Sequence, residues 1–282
     1  MGRISHCIWS YGKLTVDWYA ENIYFCNKQC LYMKILLNTE YRSLHEFVKT
    51  LPLTFDSLQD ATLLHNGRNV IKAITIDSHK LVIKYYSSIS LFNRFVYGRW
   101  RQSKSVRAYT NAMQLLALGV NTPIPVAAID NYRNGVLCEN FFISEFSEFQ
   151  PINIGETGCH DRRELLEALA QFIVNLHQLG IQHNDLNPAN VRYRVCDGVY
   201  NFELIDNNRM RFKGRALTEY ERLDDLRHFS CETLPFVYVL DRYAQLTGID
   251  RDRFTARGIL SRFLYKFRNR VKHSIKRKLK SV

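Results

Sequence analysis

The chain has 282 residues, 46% of them apolar and 13% aromatic. That is material for one large domain or two lobes sharing a core, and it excludes a peptide, a repeat array and a small disulfide scaffold. The net charge is +12, yet residues 251–282 hold 12 Lys or Arg against the single acid Asp252, or +11, which leaves +1 for the other 250 residues. Basicity so localised concerns partners rather than the fold.

Six Pro and 13 Gly leave little room for long disordered stretches. No apolar run approaches the ~18 residues of a membrane-spanning helix. The first residues lack the basic-then-apolar order of a secretory signal, so a cytoplasmic location is expected. The seven Cys form no C-x-x-C pair, and reduced thiols rather than a zinc site are expected.

Residues 1–32 carry no clear period and read as an N-terminal extension, with Met33 a candidate native start. A helix follows over Arg42–Leu51, then three strands, Ala61–His65, Val70–Ile76 and Lys80–Tyr86, the last two joined through an Asp77-Ser78 turn. A basic segment, Arg94–Arg107, leads into a helix that ends near Leu118, where Gly119 is placed to cap it. Thr122-Pro123-Ile124-Pro125 stops that helix. Strands over Val126–Ile129 and Phe141–Phe146 complete a region of antiparallel strands with one long helix between them. Asp161 and Glu164 then resemble a capping box for a helix with a buried face from Leu165 to Leu179, ending at Gly180. Strands over Asn190–Val195 and Tyr200–Ile205 flank an Asp197-Gly198 turn, and helices fill the rest.

In the tail, Leu260, Leu264, Phe267 and Val271 recur at helical spacing among Arg262, Lys266, Arg268, Arg270 and Lys272. This reads as a basic amphipathic helix. An anionic membrane surface suits it, each Lys or Arg near the surface contributing ~1 kcal/mol; a terminal helix docked on the body with a solvated basic face is the alternative. No stacking platform or nucleic-acid motif is present, so no nucleic-acid partner is expected.

The chemistry sits at His183-Asn184-Asp185-Leu186-Asn187-Pro188-Ala189-Asn190 and at Ile205-Asp206. Phosphoryl transfer requires a carboxylate to orient or deprotonate the acceptor and oxygen ligands that hold magnesium against the phosphates. The kinase catalytic loop, H-R-D-L-x-x-x-N, is matched at His183, Asp185, Leu186 and Asn190, with Asn184 in place of the Arg. Val82-Ile83-Lys84, about a hundred residues upstream, resembles the V-A-I-K strand, so Lys84 is expected to pair with nucleotide phosphates. Asn66-Gly67-Arg68-Asn69 falls where a phosphate-covering turn belongs, with backbone amides as candidate donors. Taken singly, each of these residues also has a plain structural explanation, such as an Asx turn. Their joint order on these elements is what points to a kinase-like site.

These stretches resemble the lipopolysaccharide core kinase family, the Kdo and heptose kinases, particularly its Bacteroidetes-type members, over about Met33 to Lys280. They are Gly67 to Lys72, Ser103-Lys104, Gly119 with Thr122 to Pro125, the Asp185–Asn190 loop and Ile205 to Met210. The resemblance implies an α+β, two-lobed protein-kinase-like fold: an N-lobe with a small antiparallel sheet over 33–146, a mainly helical C-lobe over 147–250 and a basic amphipathic tail over 251–282. It implies ATP-dependent phosphorylation of an inner-core sugar at the cytoplasmic face of the inner membrane, with ATP and lipopolysaccharide or another anionic glycolipid as partners. Asp185 would be the catalytic base, Asn190 and Asp206 the Mg2+ ligands, and Lys84 the phosphate-binding lysine, with Asn66, Gly67 and Arg68 beside the nucleotide.

The sequence departs from the kinase pattern in three places. No acid occurs between Ser103 and Ala128, where the helix Glu partner of the strand Lys belongs; Thr110 or Ala108 stands there. Asp206 precedes Asn207-Asn208 rather than Phe-Gly, and the phosphate turn has one Gly. A kinase of a protein or soluble acceptor, and a scaffold without catalysis, remain the alternatives.

Overall fold

The computed structural model describes residues 3–11, 14–27, 29–87, 101–152 and 162–278, with side chains over 32–87, 101–152 and 162–275. The chain divides into two compact units, residues 1–148 with 206–208, and residues 149–205 with 209–282.

The first unit is an antiparallel sheet in the order β1-β2-β3-β7-β8-β6-β5-β4. Its strands are β1 (Arg3–Tyr11), β2 (Leu14–Asn27), β3 (Gln29–Asn38), β4 (Thr62–Asn66), β5 (Val70–Ile76), β6 (His79–Tyr85), β7 (Pro125–Arg133) and β8 (Val136–Glu145). The run Ile35-Leu36-Leu37 is continuously apolar because the sheet is covered on both faces. Ile35 and Leu37 join Val48 and Leu51 of α1 (His45–Thr54) in one cluster, whereas Leu36 joins Val106, Tyr109 and Met113 of α2 (Lys104–Ala117) in another. On β7, Ala127 and Ile129 follow the first set and Ala128 the second. The expected helix from Arg42 is a 3-10 turn over Thr39–Leu44 followed by α1, which runs on to Thr54. The predicted β5–β6 turn holds, with Asp77 and Ser78 both at positive φ, as a tight hairpin requires.

Ser103 caps α2 by accepting from the Val106 amide, and the buried Asp130 of β7 accepts from Ser105 one turn in. Burial pushes the Asp130 carboxyl up, against the lowering effect of hydrogen bonds from Ser105, Ser103 and Tyr132.

The second unit is mainly helical: α3 (Arg163–Gln178), α4 (Glu219–Leu226), α5 (Thr233–Thr247) and α6 (Arg251–Lys278). Its strands are β9 (Gln150–Pro151), β10 (Ile181–Gln182), β11 (Val191–Cys196), β12 (Val199–Leu204) and β13 (Arg211–Phe212). The α3 stripe predicted from its periodicity is buried at Leu165, Leu166, Leu169, Ile173 and Leu176, whereas Phe172 is half-buried and Leu179, past the last turn, is exposed. Asp161 lies outside the described residues, and the α3 N-cap, Arg162, makes no side-chain cap bond. A full capping box instead starts α4, between Thr218 and Glu221.

Gly180 ends α3 at φ +76°, and a Cβ there would sit 2.3 Å from the Arg215 carbonyl oxygen. That closeness holds α3 against the segment leading into α4. Helix α6 docks on α5 by a narrow face: Phe254 stacks on Tyr243, Gly258 approaches Leu240, and the Arg262 guanidinium lies 3.9 Å from the Phe236 ring centre. Among the described residues no helix is long and apolar enough to cross a membrane.

Candidate active site

In the first unit, β6 is an interior strand, and its register pairs Lys84 with Ile71 of β5 and Phe142 of β8. The Lys84 Nζ is largely buried and lies 2.8 Å from Asp206 Oδ1. Tyr86, two residues on, is buried, and desolvation together with the Asp206 charge holds its phenol well above the usual range. It therefore stays neutral beside the Lys84 ammonium, which lies 5.4 Å from the ring centre. Asn66, Gly67 and Arg68 form the exposed tip of the β4–β5 hairpin. The Val70–Tyr85 register brings this tip to the Lys84 end of the sheet. The Gly67 amide donates within the turn to the Asn69 carbonyl at 3.1 Å.

Asp206 adopts φ +60°, a conformation uncommon outside glycine that persists only where surrounding contacts enforce it. Its Oδ1 also accepts from Asn208 Nδ2 at 2.6 Å.

In the second unit, the loop from His183 to Asn190 is fixed from beneath by Asp225 of α4. That buried carboxylate accepts from the His183 amide at 2.8 Å, from the Asn184 amide at 2.6 Å, and from His177 Nε2 at 3.3 Å. Burial works to raise the Asp225 carboxyl, but the hydrogen bond and charge of His177, with those of His183, outweigh it and hold the group below its ordinary value. His177 is itself oriented by Tyr243, 2.9 Å from Nδ1. Asn184, standing where the kinase loop has Arg, sits at φ +60°, which Asn tolerates better than most residues. Its Nδ2 donates to the Arg209 carbonyl at 3.1 Å.

The Asp185 carbonyl accepts from Asn190 Nδ2 at 2.9 Å and from the Asn187 amide at 2.8 Å, so the loop closes on itself. The Asp185 carboxylate is partly exposed and pairs with Arg209 at 3.0 Å. The Ile205 amide donates to the Asn190 carbonyl, which ties the residue before Asp206 to the end of the loop.

The family model for the lipopolysaccharide kinase (Kdo/WaaP) family matches residues 91–256, more than half the chain. This chain belongs to the lipopolysaccharide kinase family. It is similar to the 3-deoxy-D-manno-octulosonic acid kinase of Vibrio parahaemolyticus, 23% identical over 185 residues that cover 60% of this chain and 72% of that one. A solved structure of WaaP in complex with acyl carrier protein shares the fold. Its TM-score is 0.56 at 16% identity, over 82% of this chain and 99% of that one. The kinase is thus a phosphotransferase with a protein-kinase-like fold.

Each residue expected to hold magnesium offers a hard oxygen within its own unit: the Asn190 nitrogen donates to the Asp185 carbonyl, which leaves its amide oxygen, and Asp206 has a carboxylate. Among the described residues no three His, Cys, Asp or Glu gather as a group that could hold a metal ion. Asp225 and Arg209 contact the loop from His183 to Asn190 and were missed by sequence reasoning. Nothing distinguished Asp225 from its neighbour Asp224 in sequence, and Arg209 lay inside the stretch carrying the resemblance without a role of its own.

Proposed function

We propose that this kinase transfers the γ-phosphoryl group of ATP, with Mg2+ as its metal, to a hydroxyl of Kdo in the inner core of lipopolysaccharide. The observation that carries the reading is the Arg209–Asp185 pair. It sets a half-exposed guanidinium 3.0 Å from the carboxylate that takes the proton, and a guanidinium suits an acceptor that is itself a sugar acid. A heptose offers no carboxylate, and the curated relative is named for the acidic sugar.

In the reaction, Asp185 accepts the proton of the acceptor hydroxyl. The hydroxyl oxygen bonds to the γ-phosphorus as the bridging oxygen leaves with ADP. Asn190, through the Asp185 carbonyl, keeps the loop in register. Lys84 supplies positive charge for the phosphates, and Asn66, Gly67 and Arg68 border the nucleotide. Asn190 and Asp206 would offer oxygen ligands to magnesium, which when bound would supply positive charge against the phosphoryl oxygens.

The test compares a Kdo-terminated lipid with the same lipid carrying a Kdo methyl ester. Phosphate on Kdo, strongly reduced by esterification and made indifferent to it by Arg209→Gln, is expected. Phosphate on a heptose, or equal use of ester and acid by the parent protein, would refute the reading.

The same acceptor is lipid-anchored, and α6 has a surface that suits an anionic bilayer at the cytoplasmic face of the inner membrane. Ile259, Leu260, Phe263, Leu264, Phe267 and Val271 are 42–62% exposed, because α6 docks instead through Phe254, Gly258 and Arg262 on α5 and through Arg253, Arg257 and Tyr265 on α4 and the residues after it. Apolar side chains are thus free to enter acyl chains while the flanking Lys and Arg meet headgroups. Flotation with anionic vesicles, lost in zwitterionic ones and in the Phe263→Ser, Phe267→Ser double variant, is expected. Equal flotation by parent and variant removes the bilayer from the account. Capture of acyl carrier protein in place of vesicles would move that face to an acidic protein.

A further inference from the structure

The segment Asp206–Asn208 groups with the sheet unit and is held there by amide hydrogen bonds that the reaction does not use directly. From α2, Asn111 Nδ2 donates to the Asn207 carbonyl at 2.7 Å. The Asn207 side chain, 4% exposed, donates to Thr122 Oγ1 at 2.8 Å, and Thr122 is itself 5% exposed. The peptide following Asp206 is thereby fixed at its carbonyl and at its side chain. Lys84 and Asn208 meanwhile hold the carboxylate that this peptide presents.

The α2 positions where a kinase carries its acid are otherwise engaged. Thr110 bonds back to the Val106 carbonyl, and Ala108 is packed in the core. In protein kinases the helix reaches the strand lysine through a Glu. Here Lys84 is paired with Asp206 itself, and α2 reaches Asp206 through neutral groups.

We propose that Asn111, Asn207 and Thr122 form an amide clamp through which α2 positions Asp206, replacing the helix acid that the sequence lacks. The clamp sets the left-handed backbone of Asp206 and hence the aim of its carboxylate. Asn111, Asn207 and Thr122 act through Asp206 as positioning residues. The inference rests on the phosphotransferase reading only in taking Asp206 as a metal ligand.

The test is calorimetric binding of ADP to the full-length protein at several magnesium concentrations and in excess chelator, alongside melting temperatures. Asn111→Asp keeps shape but replaces the donor by an acceptor; Thr122→Val keeps shape and removes the hydroxyl; Thr122→Ser keeps the hydroxyl. One neutral hydrogen bond contributes ~1 kcal/mol, so Asn111→Asp and Thr122→Val are expected to weaken magnesium-dependent ADP binding by about five- to tenfold. Chelator-resistant binding should be unchanged, and Thr122→Ser should bind like the parent.

Parent-like magnesium dependence in both variants would overturn the clamp while leaving the kinase reading intact. Equal loss with and without magnesium, following the melting temperature, would also overturn it by reducing the clamp to a fold contact. Magnesium-specific weakening in a protein that phosphorylates no lipid would support the clamp and refute the proposed acceptor.

Discussion

Replacing Asp225 with alanine removes the acceptor for three donors at once: the amides of His183 and Asn184 and His177 Nε2, at 2.8, 2.6 and 3.3 Å. A buried donor left without a partner costs about 1–3 kcal/mol. His177 keeps Tyr243, and Asn184 is only partly buried, which lowers the sum. The expected destabilisation is ~3–5 kcal/mol, the range for breaking a buried ion pair. With a urea dependence of about 2 kcal/mol per molar, the midpoint falls by roughly 2 M. Far-ultraviolet circular dichroism is the appropriate signal, because α3 to α6 lie in the unit with Asp225. Trp9 and Trp18 lie on β1 and β2 of the other unit.

The pH dependence has a fixed sign. The folded carboxyl of Asp225 is held below its unfolded value, so its contribution is complete above the unfolded pKa of about 4 and is lost as pH falls through the folded value. The alanine variant should therefore show a shallower loss of stability with acid than the parent. A midpoint within about 0.5 M of the parent's, with an unchanged acid slope, would refute the reasoning that Asp225 holds the catalytic loop.

Gly180→Ala should destabilise more than Gly119→Ala in a melting comparison. Both positions have positive φ, which costs about 1–2 kcal/mol for a residue with a Cβ, but only at Gly180 does the Cβ meet backbone, the Arg215 carbonyl. Lys84→Met should lower kcat about 100-fold, the effect of removing one aligned charge or donor from a transition state. Its circular dichroism should match the parent's, because Met fills the stem's volume. Arg262→Ala should loosen α6, since Arg262 reaches the Cys231 carbonyl and Thr233 and packs on Phe236. Faster limited proteolysis within 251–278 checks this.

The parts of the fold legible in sequence are those where local chemistry and tertiary packing agree. The β5–β6 and β11–β12 hairpins carry turn residues that accept positive φ, and α3 buries the stripe its periodicity marks as far as Leu176, with Leu179 at its end exposed. Asn134-Gly135 turns β7 into β8 at φ 52° and 74°. This strong hairpin signal would have started β8 at Val136 rather than at Phe141. The Thr218–Glu221 box was equally present in the sequence and marks the helix that carries Asp225. Within residues 1–32, Leu14, Val16, Trp18 and Ala20 alternate with Thr15, Asp17 and Glu21, a strand signal that falls on β2 and was passed over.

In α6 the spacing of Leu260, Leu264, Phe267 and Val271 correctly gave a helix, but docking on α5 went to Phe254, Gly258 and Arg262. Close approach at a glycine and stacking of a guanidinium are not visible to a hydrophobic period. The Asp185–Asn190 spacing stands out in sequence because it matches a motif, and the structure shows a loop there that closes on itself through the Asp185 carbonyl. Asp225 and Asn111 reach these segments from distant elements, and their contacts appear only once the chain is folded.

The most direct test is transfer of labelled phosphate from magnesium ATP into a Kdo-bearing lipid by the parent protein and by Asp185→Asn, which keeps shape and removes the carboxylate. Label in the lipid with the parent, reduced at least 100-fold by the substitution in a protein of unchanged melting temperature, is the predicted result. Equal labelling by both proteins, or turnover of ATP with no label entering lipid under any acceptor concentration, would contradict it.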